Sequence, residues 1–174
     1  MFLLYKIIQK IRKYRNPVAY WRKLGAKIGK ACDINRDVSL GSEPYLVEIG
    51  DHVRLSMGVK ITTHDGSMWV LKEYMSLDTT KKSLGLYRKV KIGNNVHIGN
   101  DVHIMPGVTI GDNSIIAVGA VVTGNIPENS IYGGVPARFI ETLDEYINKH
   151  KDDFDYTKYP NAESKKLSLL KNIK

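Results

Sequence analysis

The sequence predicts an all-β fold in which short strands wind into a parallel coil, and three observations carry that prediction. First, apolar residues recur every six positions from Ile92 to Ile126: Ile92, Ile98, Ile104, Ile110, Ile116 and Val122 each open a hexad, with Val96, Val102, Val108, Ala120 and Ile126 four positions later. Second, Gly follows the aliphatic residue at Gly93, Gly99 and Gly111, and Asn or Asp gathers just beyond it at Asn94, Asn95, Asn100, Asp101, Asp112 and Asn113. These residue types enter left-handed turn conformations at low cost. Third, the period is present upstream, in Ile28, Ile34 and Leu40 with Cys32 and Val38, and in Ile49, Leu55 and Ile61 with Val53 and Val59. A strand and a tight turn every six residues suit neither a helix nor a hairpin. They suit a coil whose flat faces stack on the coils below, with about eighteen residues to each triangular turn.

Length and composition fit one domain. A chain of 174 residues with 43% hydrophobic content can bury a sizeable core and is neither disordered nor collagen-like. The single cysteine, Cys32, falls on an inward hexad position and reads as a buried small hydrophobe. With no disulfide framework, a reducing, cytoplasmic setting is expected. A net charge of +8 and a pI near 9.4 point to anionic partners, but the lysines concentrate at the two ends and form no recognisable nucleic-acid motif. Phosphorylated cofactors and membrane surfaces suffice to account for the charge.

The first element is a helix over residues 2–15, with Phe2, Leu3, Leu4, Ile7, Ile8 and Ile11 on one stripe and Lys6, Lys10, Arg12, Lys13 and Arg15 elsewhere; Asn16 and Pro17 stop it. Lys6 splits the apolar stretch and no small-residue cleavage site follows, so it does not read as a signal peptide, and no stretch is long enough to span a bilayer. Its stripe either packs on the coil or a neighbouring subunit, or contacts an anionic membrane at the inner face as a peripheral anchor. Residues 1–23 thus form a helix and linker, and residues 24–137 the coil. Two interruptions divide the coil. Gly41 to Val47, with Glu43 and Pro44, shifts the register by a few residues, and residues 64–89 lose the apolar pattern and leave the coil as a long loop of the kind that is usually functional. Residues 138–174 form a helical tail, with Leu143, Tyr146 and Ile147 marking one helix and Leu167, Leu169 and Leu170 a final turn or two.

The run VKIGNNVHIGNDVHIMPGVTIGDNSIIAVGAVVTGNIPENSIYGGVPARFI resembles the hexapeptide-repeat acyltransferases, and with THDGSMW and SEPYLVEIG it is most similar to those of capsule or lipopolysaccharide O-acetylation. The resemblance covers roughly residues 24 to 147, with the repeat, PGVTIGD and GGVPAR in the expected order. It implies a left-handed parallel β-helix, an exception to the right-handed crossover rule. It also implies a homotrimer with three active sites between adjacent subunits, acetyl-CoA as acyl donor, no metal, and a saccharide or sugar-nucleotide acceptor.

Moving an acetyl group from a thioester to a sugar hydroxyl needs a base, a stabiliser for the developing oxyanion and a means of holding both reactants; no covalent intermediate is required. Of five histidines, His150 reads as a solvated tail residue and His52 as an exposed turn residue. His64 ends the hexad begun by Ile61 and opens the long loop, and the resemblance makes it the general base. Asp65, its neighbour in an extended segment, points to the opposite side, so a backbone carbonyl or a carboxylate such as Glu43 is the better partner. Glu43, Tyr45 and Ser56 are candidates for shaping the acceptor pocket. The resemblance places Asn100 on the thioester oxygen, with Gly99 leaving the backbone accessible beside it; alternatively Asn100 merely takes a left-handed turn. His97 and His103 occupy matching outward positions near a corner and line the cofactor groove or pack. Cofactor binding falls by resemblance on Val118 and Thr123 through backbone groups and on Arg138, whose guanidinium suits a CoA phosphate. Gly124 and Ala120 stand where the family carries a lysine and a small hydroxyl residue, so either the affinity for CoA is lower or Lys91 and other basic residues compensate.

Other classes meet specific objections. A zinc carbonic anhydrase on the same coil would need His64, His97 and His103 together, but His97 and His103 are six apart and belong on adjacent faces. A non-catalytic scaffold has no need of THDGSMW in a long loop. A streptogramin-type xenobiotic acetyltransferase or a sugar-nucleotide N-acetyltransferase shares the same machinery and differs in the acceptor.

Overall fold

The computed structural model describes residues 8, 11–78, 80 and 83–172. Phe2, Leu3, Leu4 and Ile7 of the expected stripe, and Lys6 and Lys10 beside it, lie outside the described residues, while Ile8 and residues 11–15 are helical. Asn16 ends that helix and also starts another. Its side-chain oxygen accepts from the Ala19 amide at 2.9 Å and Pro17 takes the first helical position of α1 (Pro17–Lys23). Trp21 on α1 is buried against the first rung of the coil and closes its end.

Each hexad contributes a strand, usually of two residues, the first turned out and the second turned in. In chain order these are β1 (Lys27–Ile28), β2 (Asp33–Ile34), β3 (Val47–Ile49), β4 (Arg54–Leu55), β5 (Lys60–Ile61), β6 (Val90–Ile92), β7 (His97–Ile98), β8 (His103–Ile104), β9 (Thr109–Ile110), β10 (Ile115–Ile116) and β11 (Val121–Val122). Parallel pairing gathers them into three faces: β1, β3, β6 and β9 form the first, β2, β4, β7 and β10 the second, and β5, β8 and β11 the third, which Ser39 extends. Every hexad-opening residue from Ile28 to Val122 is buried in the interior, as are Val53, Val59, Val96, Val102 and Val108. Burying one such side chain contributes roughly 1.5–3 kcal/mol, so the interior column is the main source of stability. Cys32 is only partly buried, its thiol 3.2 Å from the Gly50 carbonyl, because it sits at a corner of the terminal coil.

The turn length is read from corner contacts. Asn94 and Asp112 stack on adjacent coils 18 residues apart, while Lys30 and Asp51 are 21 apart and Asp51 and Asn94 are 43 apart. The surplus enters between the third and first faces both times: as a 3-10 turn at Pro44–Leu46, and as the expected long insertion. The last turn is shorter, with Asn113 and Asn129 16 apart, so Ile126 stacks on the hexad opener Ile110.

Left-handed residues recur at the corner between the first and second faces, at His52, Asn95, Asn113 and Asn129, with φ of 56°, 53°, 52° and 58°. Their side chains are linked coil to coil at 2.8–2.9 Å. Asn94 and Asn100 are not left-handed; the conformation falls one residue later, on Asn95 and Asp101. Asn94 instead spends its side chain on the coil below, accepting from the Asp51 amide.

The 64–89 insertion is not wholly irregular. It holds a helix, α2 (Met68–Tyr74), none of whose residues is buried. The expected helical tail opens with a strand: β13 (Arg138–Thr142) pairs antiparallel with β12 (Ser130–Gly133), which joins the second face, so the coil ends in a hairpin before α3 (Leu143–His150). A second compact unit, residues 145–174, contains α4 (Ala162–Asn172), longer than the turn or two expected. Among the described residues, no helix is long and apolar enough to cross a membrane.

Candidate active site

His64 stands three residues beyond β5, where the chain leaves the coil. The two ends of the insertion close on each other around it: the Arg88 amide donates to Thr63, the Asp65 amide donates to Leu86, and His64 pairs with Tyr87. The Tyr87 ring centroid is 6.3 Å from that of His64. The first interruption reaches the same place from below. Gly41 takes φ 75°, and a β-carbon there would meet the Ile61 carbonyl at 3.1 Å and the Thr63 hydroxyl at 3.3 Å, so the crossing needs a residue without one.

The crossing delivers Glu43, whose Oε2 lies 2.9 Å from His64 Nδ1 and accepts from the Thr63 hydroxyl at 2.8 Å. Ser42 Oγ is 3.4 Å from the same ring nitrogen. Burial pushes the Glu43 carboxyl up, but hydrogen bonds from Thr63, His64 and Ser42 and the charge of His64 outweigh it and leave it below the usual carboxylate range. The Glu43 side chain keeps 15% of its exposure and the His64 side chain 42%. An ionised carboxylate on Nδ1 favours the tautomer with its proton there, which places the free lone pair on Nε2. Asp65 does not share in this: its carboxylate accepts from the Ser67 amide at 2.8 Å, and that bond lowers its own pKa. Thr63, fully buried, and Ser42 were missed in the sequence because their positions lie within or beside turns that hydrophobic periodicity passes over.

The remaining expected residues divide between two corners. Ser56 and Asn100 line one recess of about 200 Å³ at the corner between the second and third faces. Val118 stands on the coil above, exposed. Gly99 is buried beneath it rather than accessible: a β-carbon would lie 2.7 Å from the Val118 nitrogen, so this glycine serves close stacking of coils. Thr123 and Arg138 line another recess of about 330 Å³ with Gly124 and Phe139, next to the corner from which His64 emerges. Tyr45 is exposed, its β-carbon packed over Gly25. One chain therefore joins Glu43 to His64, Ser56 to Asn100 and Thr123 to Arg138, but does not join His64 to Asn100. His97 and His103 lie on the second and third faces, and burial, with the nearby Arg54 charge, lowers the His97 pKa.

Residues 89–124 match the family described as bacterial transferase hexapeptide (six repeats). Protein CapG of Staphylococcus aureus is 40% identical over 157 residues, covering 88% of this chain and 87% of that protein. Galactoside O-acetyltransferase of Escherichia coli K12 is 38% identical over 114 residues; the match covers 66% of this chain but 52% of that enzyme, about half its length. Among solved structures, a galactoside acetyltransferase in complex with coenzyme A superposes with a TM-score of 0.60 at 25% identity, covering 89% of this chain and 84% of that one.

Proposed function

The chain belongs to the bacterial hexapeptide-repeat transferases, and from that premise we propose that it moves an acetyl group from acetyl-CoA to a hydroxyl of a saccharide in capsule or lipopolysaccharide biosynthesis. The observation that carries the reading is the Glu43–His64 contact at the root of the insertion. His64 Nε2 takes the hydroxyl proton as that oxygen attacks the thioester carbonyl carbon. The tetrahedral oxyanion collapses with loss of the C–S bond, and the proton on Nε2 passes to the leaving CoA thiolate. Glu43 holds the ring and balances the transient imidazolium, a positioning role. Asn100 supplies a hydrogen bond to the oxyanion, which stabilises charge that exists only during reaction.

Since His64 and Asn100 occupy different corners of one chain, on consecutive turns, the reading calls for a trimer in which the His64 corner of one copy faces the Asn100 corner of the next. Thr123 and Arg138 hold the CoA, Arg138 through paired donors to phosphate. Glu43, Tyr45 and Ser56 border the acceptor, and the exposed rings of Trp69 and Tyr74 on α2 offer it a stacking surface. The left-handed winding and a cytoplasmic setting belong to the same proposal. Incubating the purified chain with acetyl-CoA and a panel of saccharides, sugar nucleotides and amines, reading thiol release, tests it. O-acetylated saccharide is the expected product; turnover confined to amines or xenobiotics would overturn the acceptor class.

A further inference from the structure

Charge in this chain is divided by position. The first 32 residues hold nine Lys and Arg and no Asp or Glu, which leaves 17 basic against 18 acidic residues in the rest. The whole excess of +8 therefore belongs to the segment that precedes β2. We propose that this end of the coil docks on an anionic lipid bilayer through Ile8, Ile11, Arg12 and Arg15.

The described part of the first helix is oriented by two contacts. Lys13 Nζ lies 5.2 Å from the centroid of the Trp21 ring, and Arg36 covers the Tyr14 ring at 4.3 Å. Lys13 thus turns toward the coil, where burial lowers its pKa. At about 100° per residue, Ile8, Ile11, Arg12 and Arg15 fall on one side of the helix and Lys13 on the other. The outcome is inverted relative to an ordinary surface helix: a lysine faces the protein, and the isoleucines, 38% and 51% exposed, face outward between exposed arginines. Leu24, Lys23 and Lys30 extend the exposed surface.

An apolar stripe flanked by guanidinium groups matches the boundary between phosphate headgroups and acyl chains, where the isoleucines enter and the arginines remain at the phosphates. A second copy is a poor occupant, because it would bring Arg12 and Arg15 of one stripe against the same like charges of the other. Nucleic acid offers nothing to the isoleucines. The docking is independent of the transfer chemistry and fixes where that chemistry happens.

Co-sedimentation of the full chain with phosphatidylcholine vesicles, with and without phosphatidylglycerol, tests the proposal at low and high salt. Binding to the anionic vesicles is expected to exceed binding to neutral ones by at least about tenfold and to fall with salt. Ile8→Asp with Ile11→Asp, and separately Arg12→Glu with Arg15→Glu, should each cost about tenfold or more. Lys165→Glu with Lys166→Glu, an equal change of net charge on α4, should leave binding unchanged. Acetyl transfer to a soluble acceptor, measured on every variant, confirms folding and separates a failure here from a failure of the transfer reading. Equal binding to neutral vesicles, an equal loss in the α4 variant, or retained vesicle binding with a changed oligomer size in the isoleucine variant would each overturn the proposal.

Discussion

At the scale of single residues, the chemistry depends on which nitrogen of His64 carries a proton. His64→Ala should lower kcat by about 10²–10⁴, the usual worth of a positioned base, while acetyl-CoA binding by calorimetry stays near wild type. Retention of more than about a tenth of kcat in a correctly assembled variant would move the base elsewhere. Glu43 has a second signature, in stability. Its folded-state pKa is lowered, so its contribution is present above the ordinary carboxylate range and is lost as pH falls through the folded value. Thermal melts of wild type and Glu43→Gln should therefore converge toward acid and diverge toward neutrality; parallel curves would contradict the pairing. His64 was indicated by the family resemblance, and Glu43 could be anticipated as its partner because adjacent side chains in extended backbone diverge, which removes Asp65. The role of Gly99 could not, since stacking of one coil on the next depends on a neighbour 18 or more residues away.

At the scale of elements, corners and insertions behave differently. The His52–Asn95–Asn113–Asn129 column closes one edge by side-chain bonds between left-handed residues. Asn113→Ala removes two such bonds and puts alanine, which tolerates the left-handed region less well than asparagine, at φ 52°, so it should cost about 1–3 kcal/mol in denaturant unfolding, against almost nothing for Asn100→Ala. The coil strands were legible because each sets its second residue into a core. Helix α2 was not, for a physical reason: Trp69, Val70 and Tyr74 are exposed, so no periodic stripe marks them against an interior. The same exposure suits a ligand surface. Trp69→Ala should raise the acceptor KM several-fold with little change in acetyl-CoA affinity, and an unchanged KM would remove α2 from the acceptor site.

At the scale of the whole molecule, the separation of His64 from Asn100 makes assembly a catalytic requirement of the proposed mechanism. Light scattering should report a trimer. Mixing His64→Ala and Asn100→Ala chains by joint refolding should restore activity above either parent, because some sites in mixed trimers would combine two intact corners; absence of any recovery would contradict a site shared between copies. The hexads announced the coil, but a sequence of one copy holds no sign of which corners meet between copies. Both excursions from the coil leave and rejoin along a single edge, and the rungs above resume their stacking after 21 or 43 residues as they do after 18. Lengthening a loop costs only about 0.6 kcal/mol per doubling, so the rungs are nearly indifferent to what is inserted there. Inheritance can therefore treat the coil as a chassis and that edge as a socket: an arm exchanged between Asp65 and Leu86, whose backbones meet at its root, would bring a new acceptor preference to an unaltered His64 and donor groove.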